Sequence, residues 1–214
     1  MRDKIAPEIE KICPAIPIIT GPTAVGKTAA SIYLAKQLQG EIISIDSRQI
    51  YKYLNIGTAK PTLWEQKEIP HHLIDLYEPT HQVSAGEYRR LAVEVVEKIV
   101  SAGKLPIFVG GSGMYIKALT KGFFNDSTSN ENIRQRLTNE IEEKGNVMLY
   151  NRLLDIDPVT AKKIHLNDAK RITRALEIYE ITGQPPSQHF EKQQDNPAFP
   201  TKIFVLYRER KKLY

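Results

Sequence analysis

Gly21-Pro22-Thr23-Ala24-Val25-Gly26-Lys27-Thr28 has the form G-x-x-x-x-G-K-T, a loop built to cradle phosphates. The residues on either side supply the context such a loop needs. Ile16 to Thr20 reads as a short buried strand. Thr28 to Leu38 reads as a helix with Ile32, Ala35 and Leu38 on one face and Leu34 beside them. Strand, glycine loop and helix together aim backbone N–H groups and the positive end of a helix at an anion. Lys27 adds a point charge for the distal phosphates, and the Thr28 hydroxyl is suited to ligate Mg2+. The stretch predicts a di- or triphosphate site in an α/β fold of P-loop NTPase type.

Downstream of the helix, Glu41-Ile42-Ile43-Ser44-Ile45-Asp46 is a run of mostly β-branched residues ending in a carboxylate, which predicts a second strand. The C-terminal end of a parallel strand faces the ligand crevice, so Asp46, Ser47, Arg48 and Gln49 are expected on its rim. Asn55, Gly57 and Pro61 mark a loop. His71 to Leu76 predicts a third short strand. Its adjacent histidines would face opposite sides, which leaves them structural hydrogen bonds rather than a shared metal. A helix follows from Glu87 to Ala102, with Leu91, Val95 and Ile99 at intervals of four, and Gly103 ends it. Leu105 to Val109 predicts a fourth strand. Gly110-Gly111-Ser112-Gly113 then turns at once into a helix from Met114 to Leu119. This is a second glycine loop at the same edge of the sheet, with glycines that permit close backbone approach to a ligand and a hydroxyl at Ser112.

From Asn125 the texture changes to helices alone. One carries Ile133, Leu137 and Ile141; another carries Met148, Leu149, Leu153 and Leu154; Asp157-Pro158 and Asn167 mark further helix starts. The last helix of this stretch stops at Gly183. Ile172, Leu176 and Tyr179 form its buried stripe, and Lys170 and Arg174, four apart, share a basic face with Arg171 nearby. That face is either solvated or suited to a phosphate backbone. Beyond Pro185-Pro186 a polar run leads to Lys202 to Leu206, a fifth strand. The expected architecture is a core of residues 15–124 with 200–214, holding a parallel sheet of about five strands flanked by helices, and a helical insertion at 125–199.

The 214 residues, 41% hydrophobic and 26% charged, are enough for a full core without staples. The single cysteine, Cys13, excludes disulfides within the chain and a multi-cysteine zinc site. The chain has no apolar run of membrane-spanning length and no signal-like N-terminus. The expectation is a cytoplasmic monomer with no membrane partner. A net charge of +5 is compatible with a polyanionic partner and does not require one.

Two classes of chemistry fit these residues. In one, ATP sits in the loop and a small acceptor takes its γ-phosphoryl group. In the other, the loop holds a diphosphate that departs and no phosphoryl group is transferred. Asp46 is either a Mg2+-organising carboxylate or a general base at the crevice, and periodicity does not separate the two. Read by itself, the loop favours ATP.

Five segments together carry a resemblance. They are Gly21 to Thr28; Asp46-Ser47-Arg48-Gln49-Ile50-Tyr51 with Ile56-Gly57-Thr58-Ala59-Lys60-Pro61; Pro70-His71-His72-Leu73-Ile74-Asp75; Gly110 to Ile116; and Ile164 to Asp168 with Arg171 to Glu177. In this order they resemble the motifs of bacterial-type tRNA dimethylallyltransferases, also called tRNA isopentenyltransferases, whose members usually continue beyond the position of Tyr214. The resemblance implies transfer of a dimethylallyl group from its diphosphate to N6 of adenosine 37, beside the tRNA anticodon, with Mg2+ as cofactor. It implies that Asp46 is the base, that Gly21 to Thr28 hold the diphosphate with Thr23 lining the donor site, and that Arg210 reaches the same diphosphate. It further implies that Asp46 to Gln49, Ser112, and Lys170, Arg171, Ile172, Thr173 and Arg174 contact tRNA, with Gln49 suited to reading base edges.

Overall fold

The computed structural model describes residue 9 and residues 11–122, 129–192, 196–209 and 211. The chain divides into two units, Met1–Phe123 with Asp195–Tyr214, and Phe124–Gln194.

In the first unit the strands are β1 (Ile16–Thr20), β2 (Gly40–Ile45), β3 (His71–His72), β4 (Leu105–Gly110) and β5 (Thr201–Val205). They form one sheet in the order β3-β2-β4-β1-β5, with every pair parallel. Parallel strands need crossovers. Those within the unit carry the helices α1 (Lys27–Gln37), α2 (Leu63–Glu68) and α3 (Ala85–Ser101), with α4 (Gly113–Thr120) leaving β4. This is the expected five-stranded, P-loop NTPase-like core.

Alternate residues of the central strands go to opposite faces, and both faces are apolar. Ile16, Ile18, Ile43, Ile45 and Phe108 pack on Tyr88, Ala92, Val96 and Ile99 of α3 and on Ala118 and Leu119 of α4. Ile19, Ile42 and Ile107 pack on Ile32 and Ala35 of α1. This is why β1, β2 and β4 read as continuous hydrophobic runs rather than alternating ones. Each fully buried Ile contributes about 1.5–3 kcal/mol, so the three central strands form a rigid floor from which loops can project.

Two expectations need correction in this unit. The third strand is two residues long, because Leu73 (φ 59°) and Asp75 (φ 54°) adopt left-handed backbone that a ladder cannot accommodate. On α1, Leu38 and Leu34 are exposed, since the helix ends at Gln37 and only Ser31, Ile32 and Ala35 turn inward. The fifth strand lies at the sheet edge with Ile203, Phe204 and Val205 exposed. A helix was also missed: α2 opens with a capping box in which Thr62 accepts from the Glu65 N–H and the Glu65 carboxylate accepts from the Thr62 N–H.

The second unit contains α5 (Glu131–Lys144), α6 (Asn146–Ile156), α7 (Pro158–Ala161), α8 (Ala169–Thr182) and α9 (Pro186–Lys192). Leu137, Leu149, Leu153, Ala161, Ile172, Ala175 and Leu176 make its core. The Asp157 carboxylate, 2% exposed, accepts from the Thr160 N–H and hydroxyl and from the Ser187 N–H, so one side chain fastens the starts of α7 and α9. Burial pushes its carboxyl up, but these bonds outweigh burial and hold it below the ordinary value. Pro185-Pro186 reads as a breaker, yet Pro186 begins α9, since a proline in the first turn loses no helical bond. Glu177, fully buried, accepts from Asn130 N–H and from Arg134 and Arg174. Among the described residues no helix is long and apolar enough to cross a membrane.

Candidate functional site

β1 and β4 are neighbours, so the loops leaving their C-terminal ends stand side by side, and a Cβ on Gly111 would lie 3.8 Å from the Gly21 carbonyl oxygen. Between them and the end of β2 is a cavity of about 750 Å³, the size range of small-molecule sites. Gly21 to Ala24 and Gly26 to Thr28 line it, with Asp46 to Gln49, Gly57 to Ala59, Pro61, His71, Ile74 and Gly110 to Ser112.

The first loop is arranged for an anion. Gly26 takes φ 100° and caps α1 with no side-chain bond across the helix start, a conformation that favours glycine. Val25 alone is buried and anchors the loop, while Pro22, Thr23, Ala24 and Gly26 are exposed. Lys27 Nζ lies 3.0 Å from the Gly21 carbonyl and 2.8 Å from that of Pro22, donating to both across the mouth of the loop. Burial lowers its pKa, an effect that the nearby Asp46 charge opposes. Among the described residues no cluster of three or more His, Cys, Asp or Glu side chains is able to hold a metal ion. Thr28 and Asp46 are cavity residues with oxygens suited to a divalent ion that keeps few protein ligands.

Asp46 follows β2 directly, half-buried at the rim. Its Oδ1 accepts from the Arg48 N–H (2.8 Å) and the Gln49 N–H (3.3 Å), while Oδ2 has no partner among the described residues. The last turn of β2 is fixed from below: the hydroxyl of Tyr88, fully buried and stacked on Tyr115 at 3.9 Å, donates to the Ser44 carbonyl. Burial raises the Tyr115 hydroxyl to about 12, so it stays protonated. His71 donates from Nδ1 to the Ile69 carbonyl (2.8 Å), which makes Nε2 the acceptor of the neutral ring, and burial lowers its pKa. This histidine lines the cavity, whereas His72 holds Glu41 outside it.

The second glycine loop is fastened to the end of β2. A Cβ on Gly110 would sit 2.2 Å from the Ile45 carbonyl oxygen, and the Gly111 and Ser112 N–H groups both donate to that oxygen at 3.1 Å. Gly110 thus closes on the end of β2, while Gly110, Gly111 and Ser112 all line the cavity. Ser112 makes no capping bond with its side chain and lines the cavity.

In the helical unit Lys170 and Arg171 are exposed, with Arg171 paired to Asp168 at 3.2 Å, and Arg174 is half-buried against Glu177. Ile172 and Thr173, expected among the tRNA contacts, are buried, so their side chains serve the core. Arg171, Arg174 and Lys163 line a cavity of about 490 Å³ with Val159, Ile164 and Ile178. Lys163 gave no signal in the sequence because it belongs to no periodic face. Arg210 lies outside the described residues.

Residues 49–214 match the family described as IPP transferase. The chain belongs to the IPP transferase family. Similar curated relatives include the tRNA dimethylallyltransferases of Acetivibrio thermocellus, 46% identical over 201 residues (92% of this chain and 64% of that protein), and of Alkaliphilus oremlandii, 46% identical over 198 residues (92% and 63%). The chain thus spans somewhat less than two thirds of the length of these relatives. A solved structure of a eukaryotic dimethylallyltransferase acting on tRNA matches with a TM-score of 0.81 at 34% identity, covering 91% of this chain and 48% of that one. Of the segments 46–51 and 56–61, Asp46 to Gln49, Gly57 to Ala59 and Pro61 line the same cavity as the phosphate loop.

Proposed function

We propose that the protein transfers the dimethylallyl group of dimethylallyl diphosphate to N6 of adenosine 37 of tRNA, releasing diphosphate. The names of the relatives support the reaction class. The observation that carries the reading is a carboxylate with one oxygen bound by backbone N–H groups and the other open, on the wall of a phosphate-loop cavity.

The N6 lone pair is delocalised into the adenine ring and attacks carbon poorly. In this reading Asp46 Oδ2 accepts a hydrogen bond from N6–H and takes the proton as the N–C bond forms. The allylic C–O bond breaks at the same centre, and the charge developing on the diphosphate meets Lys27, the Thr28 hydroxyl and the amides of residues 24–28. A bound Mg2+, with Thr28 as its protein ligand, supplies further positive charge there. Arg210 is proposed to meet the same diphosphate. Adenosine 37 has to leave the anticodon-loop stack to enter the cavity, where Ser47, Arg48 and Ser112 meet the RNA. Lys170, Arg171 and Arg174 grip its backbone from the helical unit, with salt-dependent affinity.

The test is transfer of labelled dimethylallyl from its diphosphate to an anticodon stem-loop, assayed in the full-length protein. Asp46→Asn is expected to cut turnover by about 10²–10⁴-fold with donor affinity unchanged. Loss of donor affinity instead would make Asp46 a metal organiser. Release of ADP from ATP with a small acceptor, and no label in RNA, would replace this reading with a kinase.

A further inference from the structure

Gln49 was expected to read RNA base edges, but its side chain is committed within the protein. Its Nε2 donates to the carbonyls of Thr58 (3.0 Å) and Ala59 (2.9 Å), which uses both amide protons. Its Oε1 accepts from the hydroxyl of Ser44 at 2.8 Å. Two carbonyls on one side and a hydroxyl on the other also fix which end of the amide is nitrogen. Ser44 is 3% exposed, one residue short of the β2 terminus, at the inner wall of the same cavity. Its own carbonyl is held by Tyr88.

The same glutamine donates its backbone N–H to Asp46 Oδ1. One residue therefore touches the carboxylate with its main chain, and β2 and the 57–61 loop with its side chain. That loop is braced from its other side by Lys60, whose ammonium, with a side chain only 4% exposed, donates to the Tyr51 carbonyl, to Asn55 and to Asp75. The loop has few apolar anchors: Ile56 is 97% exposed and Gly57 and Ala59 are exposed. These polar bonds are what hold it as a cavity wall.

We infer that Ser44 and Gln49 are positioning residues: they lock the turn that presents Asp46 and fasten loop 55–61 to it, so that the carboxylate and the facing cavity wall move as one piece. This rests on Asp46 being the base of the proposed transfer. A turn free to pivot would still bind donor and RNA, but would hold Oδ2 on the N6 proton for a smaller fraction of the time.

The experiment uses Ser44→Ala, Gln49→Leu and the double variant in the full-length protein. Turnover is expected to fall about tenfold in each single variant, with KM for donor and stem-loop within about twofold. The double variant should be no slower than the worse single, because the two changes break one chain of bonds. Hydrogen exchange across residues 55–61 should quicken in Gln49→Leu, a readout that needs no activity. Unchanged turnover in Ser44→Ala, together with a raised RNA KM or relaxed choice of the base beside the target in Gln49→Leu, would overturn the inference and make Gln49 a reader of RNA. Unchanged exchange at 55–61 would also overturn it. A wild-type protein that transfers nothing to RNA, yet shows the exchange difference, sinks the proposed function and leaves the latch standing.

Discussion

The two glycine loops leave adjacent parallel strands at the same edge and look alike in sequence, yet they spend their backbone in opposite ways. After β1, the loop keeps its amides at the start of α1 without a capping side chain and lays Lys27 across its mouth. After β4, the loop gives two successive N–H groups to one carbonyl, Ile45, and has no room for a Cβ at Gly110. In the proposed reaction the first cradles the diphosphate; the second is a clasp that fastens β4 to β2 next to Asp46 while lining the same cavity. Glycine richness therefore marks close approach of something, and only the partner's identity says whether that is substrate or protein.

Mutations separate the two roles. Lys27→Ala is expected to cost about 10²–10³-fold in turnover or donor affinity and leave the melting temperature nearly unchanged, as read by calorimetry beside the transfer assay. A large drop in stability would mean that its bonds to Gly21 and Pro22 serve the fold. Gly110→Ala should do the reverse, destabilising the core unit by roughly 3 kcal/mol or more through a backbone clash and a strained φ of 153°. Chemical denaturation would detect it; a stable variant with weakened donor binding would break the distinction. Ser112→Ala, the one side chain of the clasp on the cavity, should lower RNA-dependent turnover about fivefold and stability hardly at all.

The opposite end of the same strand pair gives a milder test. Glu41, at the start of β2, holds Lys104 just before β4 and His72 of β3, both at 2.6 Å. Burial pushes its carboxyl up, but these two partners outweigh burial and keep it below its ordinary value of 4.5. Its contribution is therefore fully present above about pH 4.5 and is lost as pH falls through the lower folded-state value. The wild type should lose more melting temperature than Glu41→Gln between about pH 6 and about pH 3. Parallel curves would show that the distal clasp contributes nothing.

The sheet was legible because β1, β2 and β4 are buried on both faces, which leaves short stretches dense in Ile, Leu, Val and Phe in the sequence. The loop after β1 and its place on the cavity were legible because the motif lies within eight contiguous residues. What escaped depends on contacts between distant segments. Nothing near Gly110 announces that its neighbour is Ile45, and nothing near Gln49 announces the carbonyls of Thr58 and Ala59. The exposure of β5 escaped for a related reason: Ile203, Phe204 and Val205 are as apolar as the buried strands, and hydrophobicity alone does not report whether anything lies against them. The shortening of β3 traces to Leu73 and Asp75, non-glycine residues in left-handed backbone that no local rule anticipates. Two helices were missed in spite of readable signs: α2 with its Thr62 and Glu65 capping pair, and α9 with Pro186 at its first position.

β1 receives its two neighbours from either side of the helical unit in sequence. β4 emerges from the ribosome before the helical unit, and β5 only after that whole unit has been made. The strand that carries the phosphate loop thus waits, one side unpaired, while a contiguous helical bundle with mostly local contacts is synthesised and free to fold. Leu206, just past β5, donates its N–H to the Thr20 carbonyl at the lip of the loop, and a Cβ on Gly21 would sit 2.4 Å from the Leu206 carbonyl oxygen. The start of the loop acquires these backbone contacts only then. A nascent chain stalled inside the insertion would display the complete phosphate-binding motif and still lack a finished site.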